Sequence, residues 1–299
     1  MRVSTQTYQC ERKLGAREAV RLICETGFDA IDYTMYDRKN ALLSGDANPK
    51  AEIAELLRIA SEYGAVFNQT HTPFPHYKEG EDSFNKEMSE LVVRSLWASA
   101  ELRAKYAIVH PIAFRGFSEE ELISRNLEIF KPFFAEAERS GVIIAIENMW
   151  GKHPDRASRI VSNVCSTGDT HRRFIDAFRE VHGERVCACL DIGHSGLVGD
   201  CADLAVRELG DRLSALHIQD NDFFTDMHTA PFFGRINFDR LIDALAEVNY
   251  NGELTFEADE FFVGMPTELY KPALLYLLAS GRYLSDEIER KRAKLVKKQ

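Results

Sequence analysis

Short apolar runs alternate with longer amphipathic stretches from one end of the 299-residue chain to the other. The runs predict strands near 3–8, 28–34, 65–71, 106–111, 142–148, 186–192, 213–219 and 252–258. Val142-Ile143-Ile144-Ala145-Ile146 and Val186-Cys187-Ala188-Cys189-Leu190 are apolar throughout, as a parallel strand buried on both faces requires. Helix signals lie between them. Asn48-Pro49 supplies an N-cap and a first-turn proline, Ile53, Leu56, Leu57 and Ala60 make one face, and Gly64 stops the helix. Ser118 and Glu121 form a capping box, and Gly141 ends the following helix, which Pro132 is expected to kink or divide. Helical patterns at 81–103, 170–182, 238–248 and 267–283, with a weaker one at 200–209, complete the set. Eight strand-then-helix units with no linker between them predict one α/β domain over residues 1–299, a closed (β/α)8 barrel. Residues 285–299 read as its charged C-terminal helix end or tail. An open doubly wound sheet fits less well, because residues 8–15 carry no glycine-rich phosphate loop.

Composition narrows the function classes. A formal net charge of −10 disfavours broad attraction to nucleic acid or anionic membranes. The basic run at 290–298 reads as a solvated helix end. Met1-Arg2 leads into no apolar signal region, and the apolar runs fall far short of the roughly 20 residues a membrane span needs, so a cytoplasmic protein is expected. The six cysteines form no framework and read as reduced, mostly buried thiols. Cys187 and Cys189 are expected on opposite faces of their strand, unable to share one zinc ion.

The chemistry gathers at strand ends. Apolar strands finish in Thr70-His71, Val109-His110, Ile146-Glu147, Leu190-Asp191, Leu216-His217 and Phe256-Glu257. A single acid beside an apolar run reads equally well as a cap or a surface ion pair. Six such residues at corresponding places in six units do not, because the C-terminal ends of barrel strands converge on one face. Buried carboxylates need a cation or a proton. Glu147, Asp191, His217 and Glu257 therefore form a sensible shell for one divalent ion, with the oxygen-rich set favouring Mn²⁺ over Mg²⁺, Co²⁺ or Zn²⁺. His194, Asp226 and His228 follow on adjacent loops, Asp226 and His228 as candidate additional ligands. Gly193, Gly196 and Gly199 read as a turn around a crowded site, and His76, His153, His171 and His182 as surface or loop residues. Residues 72–77, Phe223-Phe224 and Trp150 are expected to line or cover the pocket.

With Ile146-Glu147-Asn148, Leu190-Asp191-Ile192-Gly193-His194, Leu216-His217 through Asn237-Phe238, and Phe256-Glu257 in this order, the chain resembles the xylose-isomerase-like TIM barrel superfamily, and within it the sugar isomerase/epimerase group. The resemblance implies a metal-dependent isomerase or epimerase in carbohydrate metabolism, acting on a small sugar or sugar-like molecule. Glu147 and Glu257 would then be both metal ligands and the acid/base pair, working through an enediolate. His71, His110, His194 and His228 would contact substrate. A homo-oligomer is compatible with it, and neither membrane nor nucleic acid is an expected partner. One departure is that the arginine expected a few residues after the metal-binding histidine is replaced by Asn221, Asp222, Phe223 and Phe224, leaving Asp226, His228 or Arg235 to take its role. The three-zinc apurinic endonucleases of the same superfamily are the rival, since His71, His110, Glu147, Asp191, His194, His217, Asp226, His228 and Glu257 match their ligand pattern. Against them stand Gln219-Asp220-Asn221-Asp222, where the endonuclease motif reads Asn-Asp-Ser-Lys, and the lack of basic loops for a DNA backbone. A sugar or inosose dehydratase, and a metal-binding barrel without catalysis, are further alternatives.

Overall fold

Each predicted run contains a strand. A computed structural model describes residues 1–44, 48–153 and 155–297. Its strands are β1 (Val3–Gln6), β2 (Ala30–Thr34), β3 (Val66–His71), β4 (Tyr106–Val109), β5 (Ile143–Glu147), β6 (Trp150–His153), β7 (Arg156–Ser162), β8 (Val186–Asp191), β9 (Leu213–His217) and β10 (Leu254–Phe256). Eight of them form one parallel sheet in the order β10-β1-β2-β3-β4-β5-β8-β9. Beyond β9 the sheet meets its own first edge: the Ile218 N–H donates to the Thr255 carbonyl at 2.8 Å, and the Glu257 N–H to the Ile218 carbonyl at 3.0 Å. These bonds close a (β/α)8 barrel. The remaining two strands, β6 and β7, form an antiparallel hairpin above β5 that no sequence pattern announced.

Helices pack around the strands much as the capping signals require. Asn48 accepts from the Ala51 N–H at the start of helix Pro49–Glu62, and both bonds of the Ser118/Glu121 capping box are present. Helix Glu119–Ser140 runs through Pro132 undivided, contrary to a predicted division. Proline removes one backbone hydrogen bond there, while buried Phe130, Phe133 and Phe134 fasten the helix on both sides of it. Helices Tyr8–Leu14 and Ala16–Thr26 fill the first connection. The last helix, Tyr270–Val296, is one continuous element that buries Ser285 and Ile288, so residues 285–296 are a helix end, the first of the two expected forms; Lys298 and Gln299 lie outside the described residues. No helix among the described residues is long and apolar enough to cross a membrane.

The barrel interior follows from a side-chain period of two. On β5, Ile143 and Ala145 point inward below Glu147; on β8, Cys187 and Cys189 point inward below Asp191; on β9, Ala215 lies below His217. Cys187 and Cys189 thus share one face, since residues two apart on a strand must, and the expectation of opposite faces was wrong. The cysteines are all unpaired, and all but Cys201 are buried. Across the barrel the interior is polar. Ser4 donates to Asn68 (2.7 Å), Asn68 to Thr255 (3.0 Å), Thr255 to Gln69 (3.3 Å), and Gln69 to Asp32 (3.0 Å). This column leads from the floor of the barrel to the strand ends.

Candidate metal centre

Glu147 and His217 end their strands, Asp191 ends β8 and begins the short helix Ile192–Leu197, and Glu257 follows β10 directly. All four are buried, and one ligand atom from each lies within 4.8 Å of the others. His217 is at the centre: its Nδ1 is 2.9 Å from Glu147 Oε1 and 2.8 Å from Glu257 Oε2, while its Nε2 faces Asp32 Oδ2 at 3.3 Å. A carboxylate behind the outer imidazole nitrogen fixes the tautomer that leaves Nδ1 free to ligate. Glu257 Oε2 is buried and makes no hydrogen bond, as does Asp32 Oδ1. An orphaned carboxylate oxygen amid two more carboxylates and an imidazole fits a divalent cation.

The electrostatics agree. Burial opposes ionisation of Glu147, yet His217, His110 and His71 hold its carboxyl well below the usual range. Burial likewise opposes protonation of His217, and the surrounding anions drive it well above. Burial pushes Asp191 up to about 6 against the pull of His194 and His228. So much opposed charge away from water is stable only when shared with a counter-ion or protons.

Three further histidines are oriented alike. His71 Nδ1 lies 2.8 Å from the Thr72 carbonyl, His194 Nδ1 2.9 Å from the Asn148 carbonyl, and His228 Nδ1 3.0 Å from the Glu257 carbonyl. A carbonyl only accepts, so each Nδ1 carries a proton and each Nε2 is turned into the site. His71 Nε2 meets His110 Nε2 at 3.1 Å and Glu147 Oε2 at 3.4 Å, and His110 is 3.0 Å from the same oxygen. The Nε2 atoms of His194 and His228 reach Asp226 at 3.4 and 3.2 Å. His228 adopts φ 37°, a left-handed backbone that a non-glycine residue takes only when its surroundings dictate it. Among the described residues, His71/His110/Glu147 and Asp191/His194/His228 are thus two more groups of metal-ligand type beside the main four.

Supporting residues explain the motif after β9. Gln219 Nε2 donates to both Asp191 oxygens (3.2 and 3.1 Å) and to Asp226 (3.2 Å). Asp220 accepts from the Asn221, Gly234 and Ile236 N–H groups, and Asn221 Nδ2 donates to the Gly193 carbonyl. Gly193 has no room for a side chain: a Cβ there would stand 2.4 Å from Gln219, and one at Gly196 would stand 2.5 Å from the Phe223 ring. Gly193 and Gly196 are thus crowded as expected, though on the short helix Ile192–Leu197, whereas Gly199, at φ 80°, has open space where a Cβ would stand.

Several expectations need correction. Phe223 packs on Gly196 and, with Arg235, lines a separate hollow of about 290 Å³. Phe224 is 70 % exposed, and the Arg235 N–H donates to the Asn221 carbonyl at 2.8 Å. Trp150 acts from behind, its Nε1 donating to Asp226 at 3.0 Å. His76 and His171 are buried, not surface residues: His76 packs on Phe130 and Phe133, and His171 Nε2 is 2.9 Å from the Ile146 carbonyl. Half-buried His182 stacks on Phe134. Two site residues were missed. Asp32 is one, and Tyr36 is the other: its hydroxyl donates to Glu257 Oε1 at 2.5 Å while its ring stands edge-on to His71.

Above the floor opens a cleft of about 630 Å³, reaching Asp226, His228 and Glu257 and walled by Tyr8, Tyr36, Phe74 and Phe84. Asp37, Asp259 and Glu260 make it acidic, and burial pushes Asp259 up to about 7 despite His228 at 3.5 Å. Its cations, Arg38 and Lys78, are near Glu87 (3.2 Å) and Glu81 (3.6 Å).

A family model described as xylose isomerase-like TIM barrel matches residues 20–278. Among solved structures, a D-tagatose 3-epimerase-like protein superposes with a TM-score of 0.74 at 18% identity, covering 99% of this chain and 100% of its own. The 3-keto-D-glucoside 4-epimerase YcjR of E. coli gives 0.69 at 20% identity, covering 93% and 99%. An IOLI protein with a bound zinc atom gives 0.71 at 16% identity, covering 97% and 99%. At these identities the superpositions establish a shared fold.

Proposed function

Because the chain belongs to the xylose isomerase-like TIM barrel family, we propose that it is a divalent-metal-dependent isomerase or epimerase of a sugar or sugar-like substrate. The observation that carries this reading is that Glu147 and Glu257 both lie within 2.9 Å of His217 Nδ1, beside a cleft that Glu257 lines. Glu147, Asp191, His217 and Glu257 would hold the ion, Mn²⁺ by preference for this oxygen-rich set. When bound, the metal supplies Lewis acidity toward a substrate carbonyl and its neighbouring hydroxyl. Glu257 removes the proton from the carbon beside the carbonyl, with Tyr36 fixing its second oxygen. Glu147, steadied by His71 and His110, would first take up a proton from a substrate hydroxyl or solvent and deliver it to the opposite face or the adjacent carbon, the proton on Glu257 passing to solvent to close the cycle. His194 and His228 offer their Nε2 atoms to substrate hydroxyls. That the named epimerases superpose on this chain supports the same chemistry.

The two additional ligand groups favour one competing reading, a three-metal phosphodiester hydrolase. The acidic cleft opposes it, since a DNA backbone would meet Asp37, Asp259 and Glu260 at the entrance. Metal analysis of the purified protein separates the two. About one ion per chain is expected, with activity lost to chelator and restored by Mn²⁺ or Co²⁺. Three tightly held zinc ions with cleavage of abasic DNA would overturn the isomerase. In Glu257→Gln, exchange of substrate carbon-bound hydrogen with solvent should vanish while the fold persists; undiminished exchange would remove Glu257 from the acid/base role.

A further inference from the structure

We propose that the outer face of the last helix pairs with the same face of a second copy of this chain, forming a two-fold dimer with the two helices antiparallel. Helix Tyr270–Val296 buries Leu274, Leu277, Leu284 and Ile288 against the barrel. Its opposite face is expected to be polar, and from Asp286 onward it is. Over its first half it is not. Pro272, Tyr276, Ala279 and Tyr283 recur there at the spacing of one helix face, with exposed Leu275 on the flank. A helix that is apolar all round belongs between two packed surfaces. The loop after β9 covers this stripe only in part. The Phe232 ring stands 5.9 Å from that of Tyr283 and the Phe233 ring 5.4 Å from that of Tyr276, yet these phenylalanines are themselves 50 % and 60 % exposed. Phe232 holds its place from a left-handed backbone, φ 72°, a conformation that costs a bulky residue about 1–3 kcal/mol.

Area and charge select a second copy as the occupant. Aromatic side chains bury roughly 150–250 Å² each, so Phe232, Phe233 and Tyr283, with Leu275 and the stripe between them, offer roughly 500 Å² of apolar surface. Joining two such faces removes roughly 1,000 Å² from water, the size at which a specific interface becomes stable. Ala279 lies midway along the stripe, where its small side chain lets a second helix approach closely. With a two-fold axis at that point, residues equally far from Ala279 in opposite directions face each other. Lys271, only 3.9 Å from its intrachain neighbour Glu25, then comes alongside the partner's Asp286, and the symmetry repeats the contact. Pairing also braces one wall of the cleft: the loop bearing Phe232 and Phe233 follows directly from His228, and the Tyr276 hydroxyl donates to the Pro231 carbonyl at 2.9 Å.

Sedimentation equilibrium of the full chain tests this. Twice the chain mass of 34.0 kDa is expected, with a Kd on the order of 1 µM or tighter. Ala279→Arg sets like charges against each other on the axis and should raise Kd at least about a hundredfold, while thermal melting followed by circular dichroism shows the helix and barrel intact. Lys271→Glu should weaken pairing about tenfold, and Lys271→Glu combined with Asp286→Lys should restore it, a rescue expected only when the face meets its own copy. A chain that stays at 34.0 kDa up to about 100 µM, whether or not it binds neutral phosphatidylcholine vesicles through this face, would overturn the proposal. So would a dimer left intact by a folded Ala279→Arg variant. A dimer broken by Ala279→Arg but indifferent to Lys271→Glu would overturn the antiparallel register.

Discussion

Replacing Asp32 by Asn removes one charge behind His217 while disturbing little else. The Asn carbonyl oxygen can occupy the Oδ2 position, 3.0 Å from Gln69 Nε2 and 3.3 Å from His217 Nε2, and its amide group the Oδ1 position, which makes no hydrogen bond. Size, burial and both hydrogen bonds survive, so the variant isolates electrostatics. A full unit charge on His217 would interact with Asp32 at 3.3 Å by about 5 kcal/mol at an effective permittivity of 20. A cation shared among four ligands places only a fraction of its charge on the imidazole. The expected loss is therefore nearer the 10–100-fold typical of such supporting carboxylates, about 1.4–2.7 kcal/mol. Titration of metal into stripped protein against a fluorescent chelator measures it, with thermal melting of the stripped proteins as a check on the fold. Affinity within about twofold of the parent, in a variant that melts normally, would refute the argument that Asp32 sets the ligating form of His217.

Tyr36→Phe keeps the ring contacts with Tyr8, Phe74 and His71 but loses the donor to Glu257; kcat should fall about tenfold with little change in KM, and an unchanged kcat would show that hydrogen bond to be idle. Glu11 provides a pH test away from the metal. Burial pushes its carboxyl up to about 7, although Thr7, Tyr33 and Asn40 donate to it. A raised carboxyl pKa means that the folded state binds the extra proton between the unfolded value near 4.5 and about 7. Its contribution is complete below about 4.5 and lost as pH rises through 7. Glu11→Gln should accordingly gain roughly 1–3 kcal/mol over the parent at pH 8 and little at pH 4, by denaturant titration. An equal difference at both pH values would contradict the assignment.

The strand ends were legible because two regularities coincide. A period of two fixes which residues face inward, and a parallel barrel gathers the C-terminal ends of its strands, so Glu147, Asp191 and His217 meet although far apart in sequence. Asp32 escaped notice because it sits inside β2, between Ile31 and Tyr33, not at its end; one acid in an otherwise buried strand was the available signal. Tyr36 stands two residues past β2, and a lone tyrosine after a strand carries no ligand pattern. His171 had a signal too: with Phe174, Ile175 and Phe178 it repeats at the spacing of one helix face, and all four are buried. The β6–β7 hairpin is half-exposed and rich in charge, with no apolar alternation to reveal it, yet it delivers Trp150 to Asp226.

The polar column inside the barrel leads to the seam at which the ring of strands closes. Ser4, Asn68, Gln69 and Thr255 belong to β1, β3 and β10, and the seam that completes the ring runs between β9 and β10, with His217 on one side and Glu257 on the other. An ion gripped by both residues acts as a rivet across that seam. Loading should slow amide exchange at Ile218 and Glu257, whose N–H groups close the ring, well before it protects the outer helices. If the proposed ion binds there, it would hold the two edges of the barrel together, and its removal would loosen the joint between β9 and β10.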